Sequence, residues 1–272
     1  MEWPMNARYP YAVFDEVDFV TSDHHFGHAR INELAGRPFA TVDEMNAALI
    51  ERWNAAVPPD AVVLHLGDVA LGPINDSVAL TAQLNGRRLL VPGNHDRVSS
   101  ATQSRKAIER FAPIYEAAGW VILPEIVEGT RRGHRLMASH YPYRGDSQEV
   151  DRHSKHRPTD EGIPLLHGHT HSQDHGPDGN QFHVGVDAFE FRPVAMDVID
   201  RWLGGEHSST RVKIPNEVAA LLRRHYMPDA AEAWLQGHNS HLSGARPIDL
   251  LRLNQSAAVV DALNVEIQGG MN

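Results

Sequence analysis

Five short stretches of the 272-residue chain gather side chains that can hold a cation or move a proton. They are Ser22-Asp23-His24-His25-Phe26-Gly27-His28, Leu66-Gly67-Asp68, Pro92-Gly93-Asn94-His95-Asp96, Ser139-His140-Tyr141-Pro142 and His167-Gly168-His169-Thr170-His171. Carboxylate oxygen, imidazole nitrogen and amide oxygen are ligands for borderline divalent ions such as Mn²⁺, Fe²⁺ or Zn²⁺. Extended backbone puts residues i and i+2 on the same side. Asp23 and His25 are therefore expected to point together, as are His169 and His171, with His24 and Thr170 turned away. Six or seven such groups are too many for one ion that keeps an open position. They suit two ions sharing a bridging carboxylate. The 18 histidines, against 8 Phe and 6 Tyr, point the same way, towards metal or acid–base chemistry.

These motifs fall at the ends of short runs that read as strands entering functional loops: Asp18–Asp23, Ala61–Asp68, Arg88–Gly93, Arg135–His140, Pro164–His169, Gln181–Val186 and Val194–Ile199. Between the earlier runs lie helical patterns. The clearest is Val42–Val57, with Met45, Leu49, Trp53 and Ala56 on one face and a capping-box spacing at Thr41 and Glu44. Weaker helices cover Asn75–Leu84 and Gln103–Phe111. Strand–helix alternation followed mainly by strands argues an α/β or mixed-sheet sandwich. Arg144–Ile163 reads as a long mobile loop beside the site; its basic run Arg152, His153, Lys155, His156 and Arg157 either guides an anion or is a solvated loop. Gly204–Lys213 reads as a linker. Beyond Ile214 the pattern is helical, with Val218, Leu221, Leu222 and His225 on one face and Val259, Val260, Leu263 and Ile267 on another. The expected division is a catalytic domain at 1–203, a linker at 204–213 and a helical domain at 214–272.

Composition narrows the functions. With 42% hydrophobic and 22% charged residues the chain is of ordinary globular type. No run of about 18 apolar residues could span a membrane, and Met1–Pro10 lacks the basic start and apolar stretch of a secretory signal. The absence of cysteine excludes disulfides, thiolate zinc sites and a cysteine nucleophile. A cytoplasmic location is expected. The net charge of −10 argues against clamping long duplex nucleic acid, whereas a small phosphate ester can bind where metal ions supply local positive charge.

The ordered set D-x-H, G-D, G-N-H-D, H, G-H-x-H resembles the calcineurin-like metallophosphoesterase family from about Asp18 to Val198. The opening Asp23–His28 is most similar to small bacterial and phage-encoded members, for which 2′,3′-cyclic nucleotides are plausible substrates. The resemblance implies an αββα two-sheet sandwich with the metals above the strand ends. It places Asp23, His25 and His171 on the first metal, Asn94, His140 and His169 on the second, and Asp68 between them. Mn²⁺ is favoured; Fe, Zn, Ni or Co also suit these ligands. Gly67 and Gly93 are expected to turn the backbone tightly. One departure concerns the subfamily: no second acidic residue follows Gly67-Asp68 within Val69–Gly72. The implied chemistry is a hydroxide bridging two ions about 3.5–4 Å apart, attacking phosphorus in line. His95 would protonate the leaving oxygen and Asp96 would orient its ring. His28 would contact the phosphate or serve structure, and Arg97 would touch substrate or form a surface ion pair. His24, His65 and His167 read as structural.

The expected activity is a binuclear metal-dependent phosphodiesterase acting on 2′,3′-cyclic nucleotides or similar small diesters. The rivals are a phosphomonoesterase or protein phosphatase, a nuclease, and a docking module with a vestigial metal site. The last rival rests on the C-terminal segment. There Trp234-Leu235, Asn239, the run Leu242–Leu251 with its Gly244-Ala245-Arg246-Pro247 turn, and Ile267–Gly269 are similar to the toxin-binding domain of Xre/ParS-type antitoxins. That resemblance implies a protein partner or self-association through these helices, with Pro247 at a first-turn position.

Overall fold

The computed structural model describes residues 11–148, 152–204, 214–242, 244–252 and 255–269. In it the chain divides into two units, Met1–Leu203 and Gly204–Asn272. The expected linker lies almost wholly outside the described residues, as does Ser243.

The first unit contains β1 (Tyr11–Val13), β2 (Phe19–Thr21), β3 (Val62–His65), β4 (Arg87–Leu90), β5 (Trp120–Ile122), β6 (Ile126–Arg131), β7 (His134–Ser139), β8 (Leu165–His167), β9 (Pro177–Asp178), β10 (Gln181–His183) and β11 (Val194–Ala195). They form a six-stranded sheet ordered β1-β6-β7-β8-β10-β9 and a five-stranded sheet ordered β11-β2-β3-β4-β5. β2 to β5 run parallel, so both faces of that sheet must be covered. Alternating residues divide the work. Val63 packs in a core with Met45, Leu49, Trp53 and Trp120, while Leu64 packs between the sheets with Leu136, Ala138, Leu166 and Phe182. On the outer face of the six-stranded sheet, Met137, Ile163 and Leu165 form a smaller cluster.

Helices α1 (Ile31–Leu34), α2 (Val42–Ala56), α3 (Ile74–Leu80), α4 (Arg105–Ala117) and α5 (Met196–Leu203) complete the unit. α2 begins where its capping residue predicts: the Glu44 amide donates to Thr41 Oγ1 at 3.1 Å. The return bond differs from the expected box, because Glu44 accepts from Ala40 rather than from the cap itself. Val194–Ile199, read as a strand, is a two-residue strand followed by α5. Its buried Met196, Ile199 and Trp202 recur every third residue, and a short apolar run cannot be assigned by periodicity alone. β1, β5, β6 and β9 were not expected. β6 joins β7 through Arg132-Gly133, both with positive φ (48° and 81°), a primed hairpin turn without the usual Asn-Gly signal.

The second unit holds α6 (Asn216–His225), α7 (Pro228–Gln236), α8 (Pro247–Arg252) and α9 (Ser256–Gly269). Val218, Leu222, Leu235, Leu251, Val259 and Leu263 form its core, whereas His225 is exposed. Trp234 and Asn239 both donate to Glu266, at 2.8 and 2.6 Å. None of the described helices is long and apolar enough to cross a membrane.

Trp53 anchors α2 to the five-stranded sheet. It is fully buried, meets Trp120 edge-on at 6.4 Å and donates its indole N–H to the Asn85 carbonyl. Trp53→Ala is expected to destabilise the chain by about 3–5 kcal/mol, read as a lowered urea midpoint. A loss below about 1 kcal/mol would show that this core repacks freely.

Candidate metal centre

The motif side chains are delivered by loops that leave the ends of β2, β3, β4, β7, β8 and β10. Main-chain bonds lace these loops together: Asp23 N–H to the Gly67 carbonyl (3.0 Å), His25 to Asp68 (3.0 Å), and Gly168 to His140 (3.0 Å). A bridge between Ser22 and Gly185 joins the two sheets at this end.

The backbone is not extended here, as the i, i+2 argument supposed. Asp23, His25, Asp68, His169 and His171 all sit at left-handed φ, between 50° and 72°. Each such residue costs of order 1–3 kcal/mol, and the laced loops hold them. Gly67 shares that conformation (φ 89°), and a Cβ there would lie 2.3 Å from the Gly93 nitrogen. Gly93 serves differently from expected. It gives room, since a Cβ would fall 2.4 Å from Asp68 Oδ1 and 2.7 Å from His140 Nδ1.

Two groups converge. Asp23, His25 and His171 present ligand atoms within 4.8 Å of one another, and so do Asp23, Asp68 and His140. Asn94 Oδ1 lies 3.1 Å from both His140 Nε2 and His169 Nδ1, which are themselves 3.2 Å apart. Asp68 Oδ2 stands between the groups, 3.5 Å from His25 Nε2 and 3.6 Å from His140 Nε2. Asp23 belongs to both triads, so two carboxylates lie centrally rather than Asp68 alone.

Proton positions follow from the partners. His140 Nδ1 faces the Leu66 carbonyl (2.8 Å), and His169 Nε2 faces the Asp146 carboxylate (3.1 Å). Oxygen acceptors require N–H at those atoms, so in the neutral rings His140 Nε2 and His169 Nδ1 are bare. With Asn94 Oδ1 they aim three lone pairs at one point. His171 repeats the pattern, its Nδ1 on Asp187 (2.8 Å) and its Nε2 left bare. Buried His25 has no hydrogen-bond partner on either nitrogen. Burial, reinforced by His171 and Arg37, holds His25 well below the ordinary imidazole range. Burial, then His140, brings His169 down to about 4 against the pull of Asp146. Bare imidazole nitrogens and carboxylate oxygens converging on one another fit cations.

Asp96 does not orient His95. Its carboxylate accepts from the Gly93 and Asp68 amides (2.8 Å each) and from Val69 (3.1 Å), tying the Asn94 loop to the Asp68 loop. Burial and the neighbouring Asp68 push it up to about 7 against those bonds. The His95 ring instead lies 3.9 Å from Asp68 Oδ2, with the side chain 41% exposed. His28 stands at the rim, 5.4 Å from the His25 ring and 6.4 Å from His95. Arg97 turns away, over the Phe111 ring at 5.9 Å. His24 and His65 do pair in the core: the Gly67 amide donates to His65 Nδ1, and His65 Nε2 meets His24 Nδ1 at 2.9 Å.

A family model described as calcineurin-like phosphoesterase matches residues 19–239. The chain belongs to that family. It is 34% identical over 191 residues to the gene 66 protein of Mycobacterium phage L5, covering 66% of this chain and 90% of that one. It is 28% identical to an uncharacterized protein of Methanocaldococcus jannaschii, covering 66% and 88%. A solved structure from Aquifex aeolicus, of unknown function, matches 68% of this chain and 97% of its own, with a TM-score of 0.49 and 22% identity. Calcineurin-like phosphoesterases generally bind divalent metals, and the bare donor set suits that family property.

Three supporting residues escaped the sequence reading. Arg37, buried, donates to both Asp187 oxygens (2.7 and 3.0 Å) and to the Asp23 and His24 carbonyls (2.6 and 2.9 Å). Asp187 lies just past an expected strand end, the position every other motif occupies, so its signal was present. Arg37 and Asp146 had none. Mn²⁺ at a hundred times its Kd should add about 2.7 kcal/mol per site, raising the melting temperature by roughly 5–10 °C for each ion bound. An unchanged melt would contradict the metal centre.

Proposed function

We propose that this calcineurin-like phosphoesterase is a binuclear metal-dependent phosphodiesterase, acting on 2′,3′-cyclic nucleotides or similarly small diesters. Asp23, His25 and His171 would hold one ion, Asn94, His140 and His169 the other, with Asp68 shared and Mn²⁺ favoured. Bound ions would supply Lewis acidity at the phosphate oxygens and acidify a water to a pKa of about 7.

The observation that carries this reading is the position of His95. It is the half-exposed imidazole beside a largely buried donor set, 3.9 Å from the shared carboxylate. A leaving alkoxide is a poor leaving group until protonated, and His95 would deliver that proton. His28 adds a second ring at the same rim, suited to a phosphate oxygen. A compact cyclic diester needs no extended groove, and the net charge of −10 disfavours a long polyanion.

With Mn²⁺ added, the chain should hydrolyse a 2′,3′-cyclic nucleotide and bis-p-nitrophenyl phosphate faster than p-nitrophenyl phosphate. His95→Ala should lower cyclic-nucleotide turnover about 10²–10⁴-fold. The aryl diester should lose less, because nitrophenolate departs without a proton. Steady-state assays on the three substrates check both. Monoester turnover alone would establish a phosphatase, and equal losses on both diesters would remove His95 from the acid role.

A further inference from the structure

Resting on the metal-centre reading above, we infer that Asp146 is a positioning residue for the second metal, held in place by Arg152 and Arg157, so that these three residues form part of that site's support. The observation is a chain of three groups. Asp146 Oδ2 faces His169 Nε2 at 3.1 Å. The same carboxylate accepts from the Arg152 amide (2.8 Å), Arg152 Nε (3.0 Å) and Arg152 Nη2 (2.7 Å), with Arg157 Nη2 at 3.5 Å. Gln148 N–H and Ser147 Oγ add bonds at 3.2 and 3.5 Å. The Asp146 side chain is fully shielded from solvent.

This arrangement repeats what Arg37-Asp187-His171 does beside the first group. In both, an arginine holds an aspartate and the aspartate takes the N–H of a histidine, leaving the other ring nitrogen bare towards the donor cluster. A carboxylate partner fixes the tautomer and ring orientation and raises ligand basicity. His140, by contrast, relies on a backbone carbonyl. His169 thus takes its orientation from a carboxylate on the segment between β7 and β8. Packing supports the seat: the His153 ring meets His169 edge-on at 5.6 Å and stacks on Tyr141 at 5.3 Å. The basic run is therefore used at least partly inward, on Asp146, rather than wholly offered to substrate or solvent.

The test is Mn²⁺ titration of the full chain by calorimetry, with electron paramagnetic resonance counting bound ions. Wild type is expected to take up two. Asp146→Ala should weaken one ion about 10–100-fold and leave the other unchanged. Asp146→Asn, which keeps an oxygen acceptor for His169 Nε2, should recover most of that loss. Arg152→Gln touches no ligand and should weaken the same ion by a smaller factor; it and Asp146→Asn carry the test if the alanine variant fails to fold. Wild-type affinity at both ions in all three variants would overturn this inference alone, whatever happened to their melting temperatures. A wild-type chain that took up no Mn²⁺ would overturn the metal-centre reading and this inference with it.

Discussion

Buried lone pairs aimed at one another are the constraint on which the rest of this structure depends. Asn94 Oδ1, His140 Nε2 and His169 Nδ1 lie 3.1–3.2 Å apart, and the partners of the two rings place their protons on the far nitrogens. Beside them stand the carboxylates of Asp23 and Asp68, and a buried His25 without a hydrogen bond. In a low-dielectric interior such a set is unfavourable unless positive charge completes it. Arg37 meets part of that need, but it contacts Asp187 and backbone carbonyls rather than the cluster itself. The geometry therefore makes sense as a site built to be completed by cations.

Holding that set takes more than strands. Regular β-structure stops at Thr21, His65, Leu90, Ser139 and His167, and the ligands come one to four residues later, five of them (Asp23, His25, Asp68, His169 and His171) on left-handed backbone. The strain is distributed over loops that bond to one another, with Asp96 as the common acceptor between the Asp68 and Asn94 loops. Small residues permit the approach: the Gly67 and Gly93 backbones touch where any Cβ would collide. Stiff parallel strands fix where the loops begin, and arginine–aspartate pairs fix how the histidine rings face.

The candidate site was largely legible because its side chains are rare types at strand ends in a fixed order. The family resemblance supplied the expected grouping of Asp23, His25 and His171, and of Asn94, His140 and His169, and the side chains within each group lie close together. The reason given for Asp23 and His25 pointing together was mistaken, since period-two reasoning fails on left-handed turns. Asp96 was misread because adjacency in sequence to His95 suggested contact, whereas its carboxylate turns to backbone amides. Arg37 and Asp146 were invisible because each acts across long or irregular chain separations, as in the 150 residues between Arg37 and Asp187. The fold was legible where a long run followed a capping residue, as in α2, and illegible where apolar runs were short, as in β5 and α5.

Anomalous diffraction from crystals equilibrated with Mn²⁺ is the most direct measurement of the central claim. The account predicts two peaks. One should lie among Asp23, His25 and His171, the other among Asn94, His140 and His169, with Asp68 touching both. A single peak, or density away from these seven side chains, would contradict it.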